Sequence, residues 1–300
     1  MHLKGIIGYL LTPCDDGGRV DHALLAMHAQ RLISEGVHAL APLGSVGCLP
    51  YLADHEREDV IRTVVGVANG RLPVLAGVSS LTTASTIRHA QYAERAGASA
   101  IQVLPSTYWK LTEPEIYAYY REVCEAVSLP VMVYNNPFTT GIDLSVPFLA
   151  RLAELPSVTM IKESSPDATK IARLREACPD KTAIYIGLNS MALQGFADGA
   201  AGWCTASPNV SAQFALNLYR CAMSGDSEGA QAWFAKQIDL LDFLIEHGLP
   251  RSVSAGMQLQ GVSPGRLRAP LSALGVEHEP ALLGTVSYTH LRAHETKANL

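Results

Sequence analysis

The chain has 300 residues, 48% of them hydrophobic and only 17% charged, with a formal net charge of -5. Such a chain can bury a large core, and without a basic run or a stretch of about 18 apolar residues it is not expected to bind nucleic acid or to enter a membrane. Its six cysteines lack Cys-x-x-Cys spacing, which favours reduced thiols in a cytoplasmic protein over a zinc or disulfide framework.

Short apolar runs alternate with longer amphipathic ones along most of the chain. The first run, GIIGYLLTP, is better explained as a strand than as a signal peptide, because no small-residue cleavage site accompanies it. Seven further runs end in Gly, Asn, Ser or Pro: HALAPLG, PVLAGVS, AIQVLPS, PVMVYNN, VTMIKES, AIYIGLN and GWCTASP. Helical patterns lie between them, and those at residues 21–36 and 82–97 each open on a cap residue and close on glycine.

Roughly eight strand–helix units, with no two strands in succession, predict an α/β fold with a parallel sheet. Eight strands are the number that closes a (β/α)8 TIM barrel. A doubly wound open sheet is the alternative, although no Gly-x-Gly-x-x-Gly follows the first strand. We expect the barrel to span residues 1–224 and a C-terminal helical extension to span 225–284. Residues 285–300 are polar without a hydrophobic period, and we expect a non-native or disordered tail there.

Polar residues stand at the ends of several predicted strands, where the active site of such a barrel lies. Lys162 follows the apolar residues of the sixth strand, although an ammonium group there is costly unless it loses its proton or finds a partner. Tyr134 stands near the end of the fifth strand, and the loop Leu43–Gly47 follows the second. We therefore expect an amine, a phenol and a glycine loop with a hydroxyl to lie together at the mouth of the barrel, where the strands end.

These three groups fit one type of reaction. A lysine amine that loses its proton in an apolar cage can attack a ketone, and the resulting iminium is an electron sink. A phenol can move protons at the carbinolamine, and backbone amides of a glycine loop can hold a carboxylate. A 2-oxo acid needs all three groups. The sequence thus predicts an enzyme for a small 2-oxo acid that uses no cofactor, and no metal-ligand spacing is found at neighbouring strand ends.

The motifs MIKES, VYNNP and GSVG, in this order and spacing around the predicted barrel, resemble the dihydrodipicolinate synthase/N-acetylneuraminate lyase family of class I pyruvate aldolases and dehydratases. The resemblance extends over about residues 5–270. It implies a TIM barrel with a C-terminal helical segment and a homotetramer built as a dimer of dimers. It also implies a Schiff base on Lys162 and a proton relay through Tyr134. Tyr108, in STYWK, lies near the position from which the family often supplies a tyrosine across the subunit interface.

The resemblance also implies a binding site for the keto acid. Its glycine–hydroxyl loop would hold the carboxylate, and the seventh strand would line the far end of the substrate. Loop residues near the fifth and eighth strands could hydrogen-bond a hydroxylated tail. The predicted substrate-binding residues are Gly44, Ser45, Val46, Thr139, Gly187, Asn189 and Ser207.

Departures from the family pattern bear on the substrate. Val46 and Cys48 replace the second hydroxyl and the glutamate of the common family loop, and Thr139 stands where dihydrodipicolinate synthases have an arginine for the second substrate. We expect a lyase that dehydrates or deaminates a 3-deoxy- or hydroxy-2-oxo acid, or that cleaves one to pyruvate by a retro-aldol reaction, with dehydration slightly favoured. The alternatives are 4-hydroxy-tetrahydrodipicolinate synthase proper and a catalytically impaired paralogue that binds a 2-oxo acid.

Overall fold

The computed structural model describes residues 3–285. Within this range eight parallel strands form one sheet. They are β1 (Gly5–Tyr9), β2 (Ala39–Ala41), β3 (Leu75–Gly77), β4 (Ala100–Val103), β5 (Val131–Asn135), β6 (Val158–Glu163), β7 (Ala183–Ile186) and β8 (Gly202–Thr205). Their order is β2-β1-β8-β7-β6-β5-β4-β3. The two end strands meet through a parallel bridge between Leu40 and Val74, so the sheet closes. The predicted TIM barrel is confirmed, and the doubly wound alternative is wrong.

Helices follow the strands around the outside of the barrel. They are α1 (His22–Glu35), α2 (Asp54–Ala68), α3 (Thr83–Ala96), α4 (Glu113–Ala126), α5 (Pro137–Thr140), α6 (Val146–Ala153), α7 (Lys170–Ala177), α8 (Ala192–Ala197) and α9 (Pro208–Ser224). The predicted caps are present: the Asp21 side chain accepts from the amide of Leu24 at the start of α1, and Gly36 ends that helix with φ +94°. Such a left-handed residue is the usual reason for glycine at a helix end.

Alternating side chains along each strand face the barrel interior and the surrounding helices in turn. On β6, Met160 and Lys162 belong to the inner face, whereas Ile161 packs in the layer between strands and helices. Large apolar side chains such as Ile7, Met132 and Tyr185 fill the lower part of the interior. The polar residues at the strand ends therefore lie above a packed core.

The described chain after α9 is mainly helical, as predicted for the extension, apart from residues 260–275. It contains α10 (Ser227–Ala235), α11 (Ile238–Glu246) and α12 (Leu249–Leu259), and residues 279–285 are helical as well. Residues 227–248, which the sequence suggests as one helix, divide at Gln237, whose backbone leaves the helical region (φ −121°). Its buried amide donates to the carbonyls of Phe214 and Trp233, which fixes the break.

The helices α11 and α12 lie over the mouth of the barrel, where Ile245 and Leu249 form part of a cavity wall. The division into domains at residue 224 stays a prediction. Of the predicted tail at 285–300, all but Thr285 lies outside the described residues. Within the part of the chain that the structure describes, no helix is both long and apolar enough to cross a membrane.

Candidate active site

Lys162 is buried at the carboxyl end of β6, with 4% of its surface exposed. Its Nζ lies 4.0 Å from the centroid of the Tyr9 ring and 3.9 Å from that of the Tyr134 ring. Among the described residues no carboxylate forms an ion pair with it; the nearby ion pairs of Glu163 and Asp143 go to Lys170. Two aromatic faces thus lie beside the amine where a carboxylate partner would otherwise be expected.

Tyr134 occupies the position next to this lysine on β5. The two residues are partners in the strand register. The Tyr134 hydroxyl oxygen accepts a hydrogen bond from Asn136 Nδ2 at 2.8 Å, and both residues line the cavity. Because the oxygen is used as an acceptor, the phenol proton is left for a group in the cavity.

Tyr9, at the end of β1, supplies the second aromatic ring beside Lys162, and sequence reasoning missed it. Its hydroxyl donates to Gln102 Oε1 on β4. Burial raises the pKa of Tyr9 well above its usual value, and neighbouring Cys204 and Tyr134 add to the effect. Tyr9 therefore stays protonated and does not act as a base. A signal was present: the runs GIIGY and AIQV each place a polar group near the end of an apolar strand.

The loop after β2 closes one side of the cavity. Ser45 is exposed and lines it together with the buried Val46. Gly44 does not line it but is required beneath it, since a Cβ at Gly44 would come within 2.3 Å of the Tyr9 ring. The amide of Gly47 donates to the carbonyl of Gly44 at 3.0 Å, which holds the loop in a tight turn. A carboxylate placed here would meet a hydroxyl and backbone amides.

The opposite side of the cavity is built from β6 to β8. Gly187 and Asn189 line it, as does Thr139 from α5. Thr205 Oγ1 donates to Asn189 Oδ1 at 3.0 Å and lies 3.1 Å from Ser207 Oγ. Ser207 thus supports the wall from behind rather than lining it. Sequence reasoning did not include Thr205 among the site residues, although it ends β8 two residues before the predicted Ser207.

The space enclosed by these residues is about 180 Å³. Gly187 is needed for its shape, because a Cβ there would lie 2.0 Å from Ser164 Oγ and 2.9 Å from Lys162 Cγ. Cys204 also lines the cavity, but burial raises the pKa of its thiol to about 11, so it stays neutral. Apart from Lys162, the wall therefore offers hydroxyl, amide and apolar groups.

Tyr108 lies away from this cavity on the loop after β4. Its side chain is 93% exposed, and the neighbouring Trp109 is 81% exposed. A tyrosine that acts in a second subunit has to project from its own, so the placement is compatible with that role. The role of Tyr108 stays a prediction.

Glu163 points away from the cavity, as its position next to Lys162 in a strand requires. Asn135 Nδ2 donates to both of its carboxylate oxygens, at 3.1 and 2.9 Å. The buried Lys170 has its Nζ 3.5 Å from Glu163 Oε2 and also pairs with Asp143. Glu163 is thus part of a structural network on the outer face of the sheet.

A barrel that buries a lysine between two phenols at the carboxyl ends of its strands has the architecture of a (β/α)8 enzyme. The model of the dihydrodipicolinate synthetase family matches residues 2–288, and the chain belongs to this family.

Relatives with different names share the fold. A 4-hydroxy-tetrahydrodipicolinate synthase from Phenylobacterium zucineum is 31% identical over 269 residues, covering 90% of this chain and 91% of the relative. An N-acetylneuraminate lyase from Rhizobium meliloti is 31% identical over 270 residues, covering 90% of each. A crystal structure from Pseudomonas aeruginosa, provisionally described as a dihydrodipicolinate synthetase, has a TM-score of 0.94 and 43% identity, covering 96% of this chain and 100% of that one.

The predicted family and the prediction of a lyase of the class I aldolase type are confirmed. The relatives include both a synthase and a lyase. Family membership therefore leaves the substrate of this chain to be argued from its own site.

Proposed function

We propose that this protein is a Schiff-base lyase that acts on a short 2-oxo acid through Lys162. The observation that supports this most directly is the position of Lys162 Nζ, about equidistant from two aromatic rings, beside the Tyr134 phenol and within a cavity. The amine of Lys162 is thus held inside the cavity, where it can attack the carbonyl carbon of a bound 2-oxo acid.

The first half of the reaction forms the imine. The carboxylate of the 2-oxo acid lies against the Ser45 hydroxyl and the amide of Val46, which places C2 before Lys162. Nζ attacks C2, and the Tyr134 phenol gives a proton to the carbonyl oxygen, so that the carbinolamine loses water and becomes an iminium. The hydrogen bond from Asn136 Nδ2 to the phenol oxygen stabilises the phenolate that remains.

The second half uses the iminium as an electron sink. In a dehydration, the Tyr134 phenolate takes a proton from C3, and the resulting enamine expels the C4 hydroxyl, which receives this proton from the phenol and leaves as water; hydrolysis of the imine then frees the amine. In a retro-aldol cleavage, the C4 hydroxyl loses its proton, the C3–C4 bond breaks, and an aldehyde leaves before C3 is protonated. We favour dehydration, because Val46 lacks the second relay hydroxyl and Thr139 replaces the arginine that a two-substrate condensation needs.

Borohydride reduction tests the imine. The protein is incubated with pyruvate and borohydride and then digested, and the peptide that contains Lys162 should gain the mass of the reduced adduct. The peptide of Lys170, a second buried lysine held by Glu163 and Asp143, is the internal control and should stay unmodified. Absence of an adduct on the Lys162 peptide would falsify the proposal.

A screen of 2-oxo acids with product detection separates the two lyase reactions. Release of pyruvate identifies an aldolase, and a dehydrated 2-oxo product identifies a dehydratase. A second candidate, a 2-oxo-acid-binding paralogue without turnover, is favoured by the buried, hydroxyl-free side chain of Val46 in the cavity wall. It predicts an adduct with pyruvate and no turnover of any acid in the screen.

We further propose a cytoplasmic homotetramer in which Tyr108 reaches the site of a neighbouring subunit. The exposure of Tyr108 and Trp109 supports this, because large aromatic side chains on a monomer surface are typical of interfaces. Light scattering of the purified protein tests the tetramer. Tyr108→Phe tests the role of the hydroxyl, with Tyr51→Phe, a second exposed tyrosine, as the control.

A further inference from the structure

The wall of the cavity contains few acidic or basic side chains, although the proposed substrate is an acid. The described residues that line it include no Asp, Glu, Arg or His, and Lys162 is the only lysine among them. The others supply hydroxyls, amides, backbone groups and apolar surface. An anion buried in such a wall can pair only with a cation at the nitrogen of Lys162.

That cation is already used by the first carboxylate. Once the imine forms, the positive charge sits on the iminium next to C2, directly beside the C1 carboxylate. A second carboxylate at the far end of the substrate would be buried without a partner, which is costly in a protein interior. Arg57 lines a neighbouring pocket that shares Thr139 with this cavity, but its guanidinium donates to Leu52 O and Ser80 Oγ.

The far wall has unused capacity for neutral hydrogen bonds. Ser164 is 3% exposed and lines the cavity, and its Oγ has no hydrogen-bond partner among the described residues. It occupies the space that a side chain at Gly187 would fill. Asn189 accepts from Thr205 through Oδ1, which leaves its Nδ2 protons for an oxygen in the cavity. A buried hydroxyl without a partner is uncommon in native structures, and a substrate hydroxyl would satisfy it.

We infer that the substrate of this site is a 2-oxo acid whose far end is uncharged and hydroxylated, and that Ser164 is a specificity-determining residue for that end. The inference rests on the proposed imine at Lys162 and adds the class of substrate. It excludes 2-oxo diacids, whose second carboxylate the wall cannot pair.

An achiral matched pair of acids tests the inference without knowledge of the natural stereochemistry. The acids are 5-hydroxy-2-oxopentanoate and 2-oxoglutarate, which differ only in a terminal CH2OH or carboxylate. Borohydride trapping on the Lys162 peptide is measured against the concentration of each acid, with pyruvate as reference. We expect half-maximal trapping of the hydroxy acid at a concentration on the order of 100-fold lower than that of the diacid, since the unpaired carboxylate is penalised.

Each outcome decides a different point. Trapping of pyruvate with equal or better trapping of 2-oxoglutarate overturns the inference and leaves the proposed function intact. Trapping of pyruvate alone overturns it as well, because the far wall then accepts no hydroxylated chain. No trapping of any acid overturns the proposed function itself.

A pair of serine variants tests Ser164. Ser164→Ala should weaken trapping of 5-hydroxy-2-oxopentanoate about 3- to 10-fold, as expected for one hydrogen bond, and should weaken that of pyruvate less. Ser165→Ala is the matched control, because the Ser165 hydroxyl is also buried without a partner but does not line the cavity. Equal effects of the two variants, or equal loss for both acids, would rule out a specificity role for Ser164.

Discussion

Tyr134 and Lys162 are partners in the register of two neighbouring strands, and Lys162 Nζ lies 3.9 Å from the centre of the Tyr134 ring. Directly beside this pair, on the other face of the sheet, Asn135 is the partner of Glu163 and donates to both of its carboxylate oxygens. The amine and the phenol are therefore held by the strands themselves and by a buried polar network behind them. Sites built on such rigid elements keep their geometry more precisely than sites on loops.

Replacement of the lysine tests the amine. Lys162→Arg places a guanidinium between the two rings, and this group cannot form an imine. We expect turnover to fall more than about 1000-fold and the borohydride adduct to vanish, as for the loss of a covalent nucleophile. Lys4→Arg, at an exposed lysine, is the control and should retain both. Residual turnover above a tenth of the parent value would contradict a role of Lys162 as nucleophile.

The two phenols should respond differently to loss of their hydroxyls. Tyr134→Phe removes the proton donor but keeps the ring, so kcat should fall about 100- to 1000-fold, within the usual range for a general acid or base, and pyruvate should be trapped more slowly because imine formation also uses this proton. Tyr9→Phe removes only the bond to Gln102, and because burial raises the pKa of Tyr9 its proton is not used. We expect a loss of less than about tenfold there. Equal losses in steady-state kinetics of the two variants would refute this assignment.

The residues of the site that sequence predicts best are those that stand out within one strand. Lys162 interrupts an apolar run, and Tyr134 and the GSVG loop lie at the ends of their strands, so the barrel rule alone brings them to one mouth. Tyr9 and Ser164 were missed for a different reason. Their roles depend on how far side chains reach across the closed barrel, from β1 to β6 and from β6 to β7, and strand periodicity contains no information on those distances.

For the helices too, the sequence predicts local features but not the effects of contacts between distant residues. The caps of α1 and α3 are local, and the sequence predicts both. The break at Gln237 depends on carbonyls of Phe214 and Trp233, one of which is 23 residues away, so the amphipathic pattern continues through it. Contacts between distant parts of the chain override local propensity here.

Neighbouring atoms leave no room for a side chain at Gly187, so we expect that adding one methyl group there impairs activity. Gly187→Ala would place a Cβ 2.0 Å from Ser164 Oγ and 2.9 Å from Lys162 Cγ and Glu163 O. We expect a loss of about 1–3 kcal/mol in the free energy of unfolding from overpacking, with a fall in kcat that persists at temperatures where the variant is folded. Gly66→Ala, on the exposed side of α2 with open space around it, should stabilise the protein by up to about 1 kcal/mol. Chemical denaturation and steady-state assays together measure both; normal activity of folded Gly187→Ala would contradict the prediction.

The segment after α12 is tied to the barrel by an ion pair between Arg268 and Glu56, the side chains of which are 20% and 14% exposed. Burial by itself would raise the pKa of the Glu56 carboxyl, but hydrogen bonds from the Ala53 amide and from Arg268 bring it below its usual value. A carboxyl with a lowered folded-state pKa stabilises the protein above its unfolded-state pKa, and this contribution is lost as the pH falls through the folded-state value.

Arg268→Gln should therefore lower the free energy of unfolding by about 1–3 kcal/mol at pH 7 and by less at pH 3, because the contribution of Glu56 declines as the pH falls from its unfolded-state pKa towards its lower folded-state pKa. Arg266→Gln is the matched control, because its partner Asp16 is 90% exposed and an exposed pair contributes about 0–1 kcal/mol. Urea titrations of the three proteins at both pH values measure the difference. A loss for Arg268→Gln that is the same at pH 3 as at pH 7 would show that the arginine acts through packing of its side chain and not through the charge of Glu56.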